Sequence, residues 1–276
     1  MSLRKFMCFL VAAAVYCGST LAADIGVARY TNSNIPVGIL ISGKIVKGDF
    51  QRLGRLIDPI KNWKNYNGYL LGGVYLDSLG GDVAEALRIA QLVERSFVST
   101  WVKPGKSCLS SCFLIFSAGT RRAWFADSSR LGVHRISLVA EELNLNKYEK
   151  TTSETSQVVE TFLARVGMPR KVVDKMNDTP SSEMFFLTND WLEREGIFST
   201  LLSRPAFLDT VEKKCGKHPL STGTRDQKVD QIRDEKFMDC EDLILQKNQE
   251  DNKADIFRAV NKAALNEDFV RYSPRQ

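Results

Sequence analysis

The chain has 276 residues, of which 43% are hydrophobic, and it carries a formal charge of +5. This length and composition suffice for a buried core and one or two domains. A charge this small does not indicate a nucleic-acid-binding protein. Beyond the N-terminus, no stretch approaches the ~18 apolar residues that a membrane span requires.

The first 22 residues have the pattern of a secretory signal peptide. Arg4 and Lys5 form a short basic region, residues 6–16 are apolar, and residues 18–22 are small or polar. We place the cleavage after Ala22. The apolar run is too short to favour an uncleaved anchor, and the bulky Tyr16 disfavours lipid attachment at Cys17. Cleavage removes Arg4 and Lys5 and no acidic residue, which lowers the charge to +3. The sequence therefore predicts a periplasmic or secreted protein.

The first half of the remaining chain alternates strand and helix patterns. Short apolar runs bounded by turn residues predict strands, and apolar residues at helical spacing predict helices. In chain order the pattern predicts a strand at 37–45, a helix opening at 48–50, a strand at 74–78, a helix over 83–93 and a strand at 97–102.

The second half begins with an apolar run and becomes increasingly polar. The pattern predicts a helix at 107–116, strands at 122–125 and 130–134 around a turn at 127–129, and helices at 140–166 and 171–176. A strand end with a helix cap follows at 187–190, and Gly196 stops a helix at 191–195. Alternating strands and helices indicate an α/β fold with a mainly parallel sheet. The expected organisation is a signal peptide at 1–22, an α/β domain at 23–204 and a charged, helical C-terminal region at 205–276.

Four cysteines remain after the predicted cleavage, and an even number in an exported protein suggests disulfides. Cys215 with Cys240 is the preferred pair, because both lie in the polar C-terminal region and their loop closes easily. Cys108 and Cys112 would share one face of a helical turn, so a local bridge between them is geometrically demanding. Zinc held by Cys108, Cys112, Cys215 and His218 is the less favoured alternative, and no metal is expected.

Three features in chain order suggest nucleophilic chemistry: the turn at Gly80 and Gly81, Ser110 beside an apolar run, and His134 after a strand. A serine hydroxyl needs a base within hydrogen-bond distance, and imidazole suits this role near neutral pH. Main-chain amides at a glycine turn or at a helix start can stabilise an oxyanion. Each feature alone has a simpler explanation, namely a turn, a helix cap or a structural histidine.

Three sequence blocks resemble the ClpP/crotonase superfamily, and within it the serine peptidases related to the Clp proteolytic subunit. The blocks are ILISGKIVKGD, YLDSLGGDVAEALRIAQLV and CLSSCFLIFSAGTRRAWFADSSRLGVHR, and the resemblance spans residues 37–200. They are similar to the first strand and turn, the double-glycine block with its helix, and the nucleophile helix with its hairpin and histidine strand. The last block is similar to exported relatives in which two cysteines frame the nucleophile. The implied fold is a βαβ spiral of the ClpP/crotonase type with a helical C-terminal extension.

The resemblance assigns a role to each candidate site residue. It implies that Ser110 is the nucleophile and that His134 is the general base. It implies that Gly80 or Gly81 and the amide of Ser111 form the oxyanion hole.

The acid that would orient the histidine is less well matched. The aligned position falls on Met184, with Glu183 adjacent, so Glu183 is the candidate orienting acid and Asp178 the reserve. Leu79 stands where the family usually has proline. Asp82 would place a negative charge near the oxyanion unless its carboxylate points away.

The resemblance implies an exported serine peptidase that hydrolyses peptides or proteins without a cofactor, and whose relatives often assemble into homo-oligomeric rings. The alternative is a catalytically silent protein of this fold that binds peptides or partner proteins in the periplasm. A crotonase-type enzyme using coenzyme A thioesters is disfavoured by the export signal and by the serine–histidine pair. An ATP-driven protease is disfavoured because no phosphate-binding loop is present.

Overall fold

The computed structural model describes seven ranges of the chain, which are 22–29, 36–60, 72–126, 128–137, 145–197, 201–216 and 227–266. Apart from Ala22, the predicted signal segment lies outside these ranges, as does His218. Within them, no helix combines the length and the apolar character that crossing a membrane requires.

The described strands form two sheets. In chain order they are β1 (Asp24–Arg29), β2 (Pro36–Ser42), β3 (Gly73–Asp77), β4 (Thr100–Val102), β5 (Ser107–Leu109), β6 (Arg122–Trp124), β7 (Arg130–Val133) and β8 (Phe185–Phe186). The larger sheet has the order β1-β2-β3-β4-β6 and is parallel except for β1 at its edge. The smaller sheet has the order β5-β7-β8, with β5 and β7 parallel.

The described helices follow or separate these strands. They are α1 (Asp49–Ile60), α2 (Val83–Arg95), α3 (Cys112–Ser117), α4 (Leu145–Arg165), α5 (Arg170–Asp178), α6 (Asn189–Glu195), α7 (Pro205–Cys215), α8 (Gln227–Asp251) and α9 (Lys253–Ala264). The prediction of a mixed α/β fold with a mainly parallel sheet is confirmed. The spiral arrangement implied by the resemblance stays a prediction.

Local chemistry sets several of the helix ends. Thr188 caps α6 by accepting a hydrogen bond from the Trp191 amide, and Gly196 ends the helix in the left-handed conformation at φ 68°. Both signals were read from the sequence, and both agree with the general preferences at helix termini.

Four predicted elements differ from the structure in type, partner or length. The predicted helix at 107–116 begins as strand β5, and α3 starts only at Cys112. A short apolar run does not distinguish a buried strand from a buried helix, which explains this error. The two strands predicted around the turn at 127–129 do not pair with each other, because β6 joins the larger sheet and β7 the smaller one. The strand predicted at 97–102 is shorter, because Phe97 has φ 51° and β4 starts at Thr100.

The C-terminal helix α9 contributes to the same core as the sheets. Its buried face contains Ile256, Ala259, Val260 and Ala263, which belong to the main hydrophobic cluster. The helix packs so tightly on α1 that a Cβ atom at Gly54 would lie 2.3 Å from the Ala264 nitrogen. A second, smaller cluster joins α7 and α8, which the Cys215–Cys240 pair also connects at a Cα–Cα distance of 5.9 Å. The preferred pairing of Cys215 with Cys240 is thus found at disulfide distance.

The buried side chain of Arg122 on β6 donates hydrogen bonds to main-chain carbonyl oxygens in three parts of the chain. Its guanidinium donates to the oxygens of Gly119 at 3.2 Å, Leu201 at 3.1 Å and Val166 at 2.5 Å. Gly119 follows α3 and Val166 follows α4, where helix carbonyls lack intrahelical partners. Burial, followed by the charge of Arg204, lowers the pKa of Arg122 to about 9, so the side chain stays charged at neutral pH.

Arg204 extends this arrangement to a third helix. Its guanidinium donates to the main-chain carbonyl oxygen of Glu94, in the last turn of α2, at 3.0 Å. It also donates to the main-chain carbonyl oxygen of Ala118, after α3. Burial lowers its pKa to about 10. The ends of α2, α3 and α4 are therefore held together by two cations at the carbonyl ends of the helices, where positive charge is favourable.

Replacing Arg122 by methionine should destabilise the protein strongly. The variant would leave three buried carbonyls without their donor, and we expect a loss of at least about 3 kcal/mol in the free energy of unfolding. Arg170→Met is the matched control, because the Arg170 side chain is 70% exposed and its ion pairs lie at the surface. In urea unfolding, the control should lose less than about 1 kcal/mol of the free energy of unfolding. Equal losses in the two variants would contradict the assigned role of Arg122.

Candidate active site

The predicted residues Gly80, Gly81, Ser110, Ser111 and His134 follow the ends of three neighbouring strands, β3, β5 and β7. The Ser78 amide after β3 donates to the Ser107 oxygen at 2.7 Å, and the Leu109 amide donates to the Ser78 oxygen at 3.0 Å. On the other side of β5, Leu109 pairs with Gly132 of β7. The segments that follow these three strands therefore start side by side. Such crevices beyond the carboxyl ends of parallel strands are common positions for active sites.

Ser110 occupies a strained turn between β5 and α3. Its φ angle is 55°, a left-handed conformation that non-glycine residues rarely adopt and that costs on the order of 1–3 kcal/mol. The turn is held because the Ser110 amide donates to Gly132 at 3.0 Å and the Ser110 carbonyl accepts from Phe113 at 2.9 Å. A serine in this conformation needs a surrounding structure that fixes it, and such positions are frequent at functional sites.

The two cysteines on either side of Ser110 form part of this support. Cys108 and Cys112 lie at disulfide distance with their Cα atoms 5.2 Å apart, and both are fully buried. The bridge connects the middle of β5 to the first residue of α3 rather than two positions of one helical turn. It therefore closes a short covalent ring around the Ser110 turn.

The double glycine of the loop after β3 lies against this turn. A Cβ atom at Gly80 would lie 2.7 Å from the Ser110 Cβ, 2.8 Å from the Leu109 oxygen and 3.1 Å from the Ser111 nitrogen. Gly80 also has φ 98°, so its missing side chain and its backbone conformation are both required here. The structure thus brings Gly80 against the Ser110–Ser111 segment, which lies 30 positions later in the sequence.

Main-chain amides at this position differ in whether they have an acceptor. The Gly80 amide donates to the Ser78 hydroxyl at 3.1 Å and is already used. Within the described ranges, the amides of Gly81 and Ser111 have no hydrogen-bond acceptor. The Ser111 hydroxyl is buried and also lacks a partner there. Gly81 and Ser111 therefore leave two donors free for a ligand oxygen.

The carboxylate of Asp82 is directed away from these amides. It accepts from the Glu85 amide at 2.8 Å and caps α2. The negative charge is thereby used at a helix N-terminus, where it is favourable. Leu79, the residue before the glycine turn, is 67% exposed.

His134 directly follows β7. Because Ser110 is bonded to Gly132, it lies beside the strand residue two positions before His134. The Nδ1 atom of the half-buried His134 ring lies 2.8 Å from the Arg135 carbonyl oxygen. Within the described ranges, no hydrogen bond joins the ring to Ser110 or to an acidic side chain.

The two candidate acids lie on the surface. Glu183 is exposed and its amide closes a turn to the Pro180 oxygen at 2.9 Å, and Asp178 at the end of α5 is exposed as well. Met184 instead approaches the strand, since its Cγ and Sδ atoms would lie 2.9 Å from a Cβ atom at Gly132. The position that aligns with the family's acid is therefore occupied by an apolar side chain at β7.

Metal binding finds no support in the described ranges, where no group of three or more potential ligands is placed to hold a metal ion. The three cysteines of the zinc alternative, Cys108, Cys112 and Cys215, are instead paired at disulfide distance, the last with Cys240.

Sequence reasoning missed Ser78, whose hydroxyl accepts a hydrogen bond from the Gly80 amide and donates one to the Gly43 carbonyl oxygen. The only available signal was its position immediately before the glycine turn. It also missed the Arg135 carbonyl, because a main-chain oxygen leaves no trace in the sequence.

Comparisons with known proteins give little further information. No family model matches the chain, and no curated protein matches it. Among the solved structures that match, a mutant of ClpP1 from Listeria monocytogenes aligns with 57% of this chain and 86% of that chain, at 18% identity and a TM-score of 0.42. Values this low carry no conclusion about fold or activity, so the family resemblance continues to rest on the sequence motifs.

Alanine at Gly80 should disrupt the site. Its Cβ would meet backbone atoms that cannot move easily, and its φ would be strained, so we expect a loss of more than about 2 kcal/mol in unfolding free energy. Gly196→Ala is the matched control, because Gly196 also has a positive φ but no atom within 4 Å of an added Cβ. Thermal unfolding of both variants separates the steric effect from the backbone strain. A Gly80 variant no less stable than the Gly196 variant would contradict the close contact.

Removal of the Cys215–Cys240 disulfide should cost more stability, whereas removal of the Cys108–Cys112 disulfide should affect the reactivity of Ser110 more. They join residues 4 and 25 positions apart. Loop entropy predicts a loss of about 2 kcal/mol for Cys108→Ala with Cys112→Ala and about 3.5 kcal/mol for Cys215→Ala with Cys240→Ala. Only the first double variant should slow the reaction of Ser110 with a fluorophosphonate, by at least about tenfold. Equal labelling rates in both double variants would show that the ring does not position Ser110.

Proposed function

We propose that this protein is an exported serine hydrolase that cleaves peptide bonds, with Ser110 as the nucleophile and His134 as the general base. One observation carries the proposal: Ser110 is held at a positive φ against the glycine turn, next to the Ser111 amide, which has no acceptor in the described ranges, and His134 follows the neighbouring strand. The sequence blocks that resemble the Clp-related serine peptidases support peptide bonds as the substrate class.

The proposed chemistry begins with transfer of the Ser110 hydroxyl proton to Nε2 of His134 as the oxygen attacks the scissile carbonyl carbon. The carbonyl electron pair moves onto its oxygen, which the amides of Gly81 and Ser111 stabilise. The tetrahedral species collapses to an acyl-serine as the imidazolium returns its proton to the leaving amine. Water then repeats the sequence and releases the acid and the free serine.

Gly81 rather than Gly80 is the proposed oxyanion donor of the glycine turn. The Gly80 amide is occupied by Ser78, so its contribution is to allow close packing against Ser110. Glu183 has no bond to His134 in the described ranges, and the proposed chemistry does not include it.

Export is the second part of the proposal. The signal pattern at 1–22 and the two cysteine pairs at disulfide distance both favour an oxidising compartment. Peptides or proteins of the cell envelope would then be the substrates. Ring assembly with further copies, as in related peptidases, is part of the same proposal and is measurable by light scattering.

A catalytically silent peptide-binding protein is the second candidate. It is favoured by the absence of a hydrogen bond between Ser110 and His134 in the described ranges and by Met184 at the aligned acid position. In this case the same cleft would bind a peptide without cleaving it.

A fluorophosphonate probe applied to the protein purified without residues 1–22 distinguishes the two candidates. We expect labelling of the wild type, none in Ser110→Ala, and labelling slowed by on the order of 10²–10⁴ in His134→Ala. Ser111→Ala is the matched control, because it keeps the amide that the proposal uses, and it should still be labelled.

Labelling that persists in Ser110→Ala would refute the nucleophile assignment. A folded wild type that resists the probe would support the silent candidate. Cleavage of a peptide library then tests the substrate class.

A further inference from the structure

The ring of His134 is oriented by a main-chain atom. Its Nδ1 lies 2.8 Å from the carbonyl oxygen of Arg135. A carbonyl oxygen can only accept a hydrogen bond, so Nδ1 carries the proton in this contact. In the neutral ring, Nε2 then keeps a free lone pair, which is the form that a general base requires.

The residue that supplies the carbonyl is anchored to neighbouring elements through its amide. The Arg135 amide donates to the Thr179 oxygen at 2.9 Å. Thr179 is in turn bound to the end of α5, because its amide and its hydroxyl both donate to the Lys175 oxygen, at 3.2 and 2.7 Å. On the other side, Val133 pairs with Phe185 of β8. Arg135, whose carbonyl contacts the ring, is therefore anchored through its own amide, close to a strand pair and a helix end.

No carboxylate competes for this position in the described ranges. Glu183 and Asp178 are exposed and have no hydrogen bond to the ring, and the side chain of Met184 lies against Gly132. An apolar side chain at this place disfavours a buried carboxylate, which would lose its hydration.

We propose that the main-chain carbonyl of Arg135 is the positioning group of His134, in the role that a carboxylate side chain would otherwise fill. This inference rests on the proposed function, because it concerns the base of that same site. A neutral carbonyl selects the tautomer and the ring orientation but supplies no negative charge to the imidazolium. Hydrogen bonds to neutral acceptors are about half as strong as those to charged ones. The site is therefore expected to be a slow hydrolase whose activity does not depend on either surface acid.

The tautomer of His134 can be measured directly, since the chain contains only two histidines. A His218→Gln background leaves His134 as the single imidazole in ¹⁵N NMR spectra of the mature chain at alkaline pH, where the ring is neutral. We expect the Nδ1–H tautomer to predominate. It should be unchanged in Glu183→Gln and in Asp178→Asn, and each of these variants should alter the fluorophosphonate labelling rate by less than about threefold.

The carbonyl contact is tested by two substitutions at position 135. Arg135→Pro removes the amide that donates to Thr179 but keeps the carbonyl, so we expect mixed tautomers and labelling slowed by at least about tenfold. Arg135→Ala is the matched control, because it keeps both main-chain groups and removes only the side chain. The spectrum and labelling rate of the control should match those of the wild type.

Three outcomes would overturn the inference. The first is a predominant Nε2–H tautomer in the wild type, and the second is an Arg135→Pro protein whose spectrum and labelling rate are unchanged. The third is a labelling rate lowered by a factor on the order of 10³–10⁴ in Glu183→Gln or Asp178→Asn, as expected for a true orienting acid. If Arg135→Pro fails to fold, the two exposed acid variants and the wild-type spectrum still decide. An unlabelled protein with the Nδ1–H tautomer would refute the proposed function while leaving the positioning contact intact. A labelled protein without that tautomer would refute the inference alone.

Discussion

The rest of the structure depends on the hydrogen bonds that two buried arginines make to carbonyl oxygens at helix ends. Arg122 and Arg204 bind oxygens at or just after the ends of α2, α3 and α4. Burying a guanidinium costs solvation energy, which the lowered pKa values of both residues reflect. Several carbonyl acceptors for each cation offset this cost. The end of α3 is fixed in this way, and α3 begins immediately after the Ser110 turn.

The site is thus supported from two directions. Behind it, the arginines hold α3, and in front of it the disulfide ring and the Gly132 oxygen hold the turn. Charged side chains take little part in the site itself. The Asp82 carboxylate caps α2, and the described contacts of Ser110, Gly81 and His134 involve main-chain groups. The proposed chemistry accordingly relies on the positions of peptide groups more than on carboxylates.

Much of the α/β framework could be predicted from periodicity, and the helix limits at Thr188 and Gly196 from their residue types. Strand β5 could not be predicted in this way. Its three residues are all buried and run directly into an apolar helix, so they show no strand-like alternation of apolar and polar residues. The packing of Gly80 against Ser110 joins residues 30 positions apart in the sequence, and nothing local encodes it. The family resemblance supplied that proximity in outline, but it also suggested an acid at Glu183, for which the described contacts offer no partner.

The division into an α/β domain at 23–204 and a helical region at 205–276 stays a prediction, and the packing of α9 on α1 has a bearing on it. Gln51 of α1 donates to the Ala264 carbonyl oxygen, 213 positions away, and the C-terminal end of α9 packs directly against Gly54. Contacts with such sequence separation form late, because the loop between them must be closed first. The part of α1 that packs on α9 is therefore completed only after the last described helix has been synthesised.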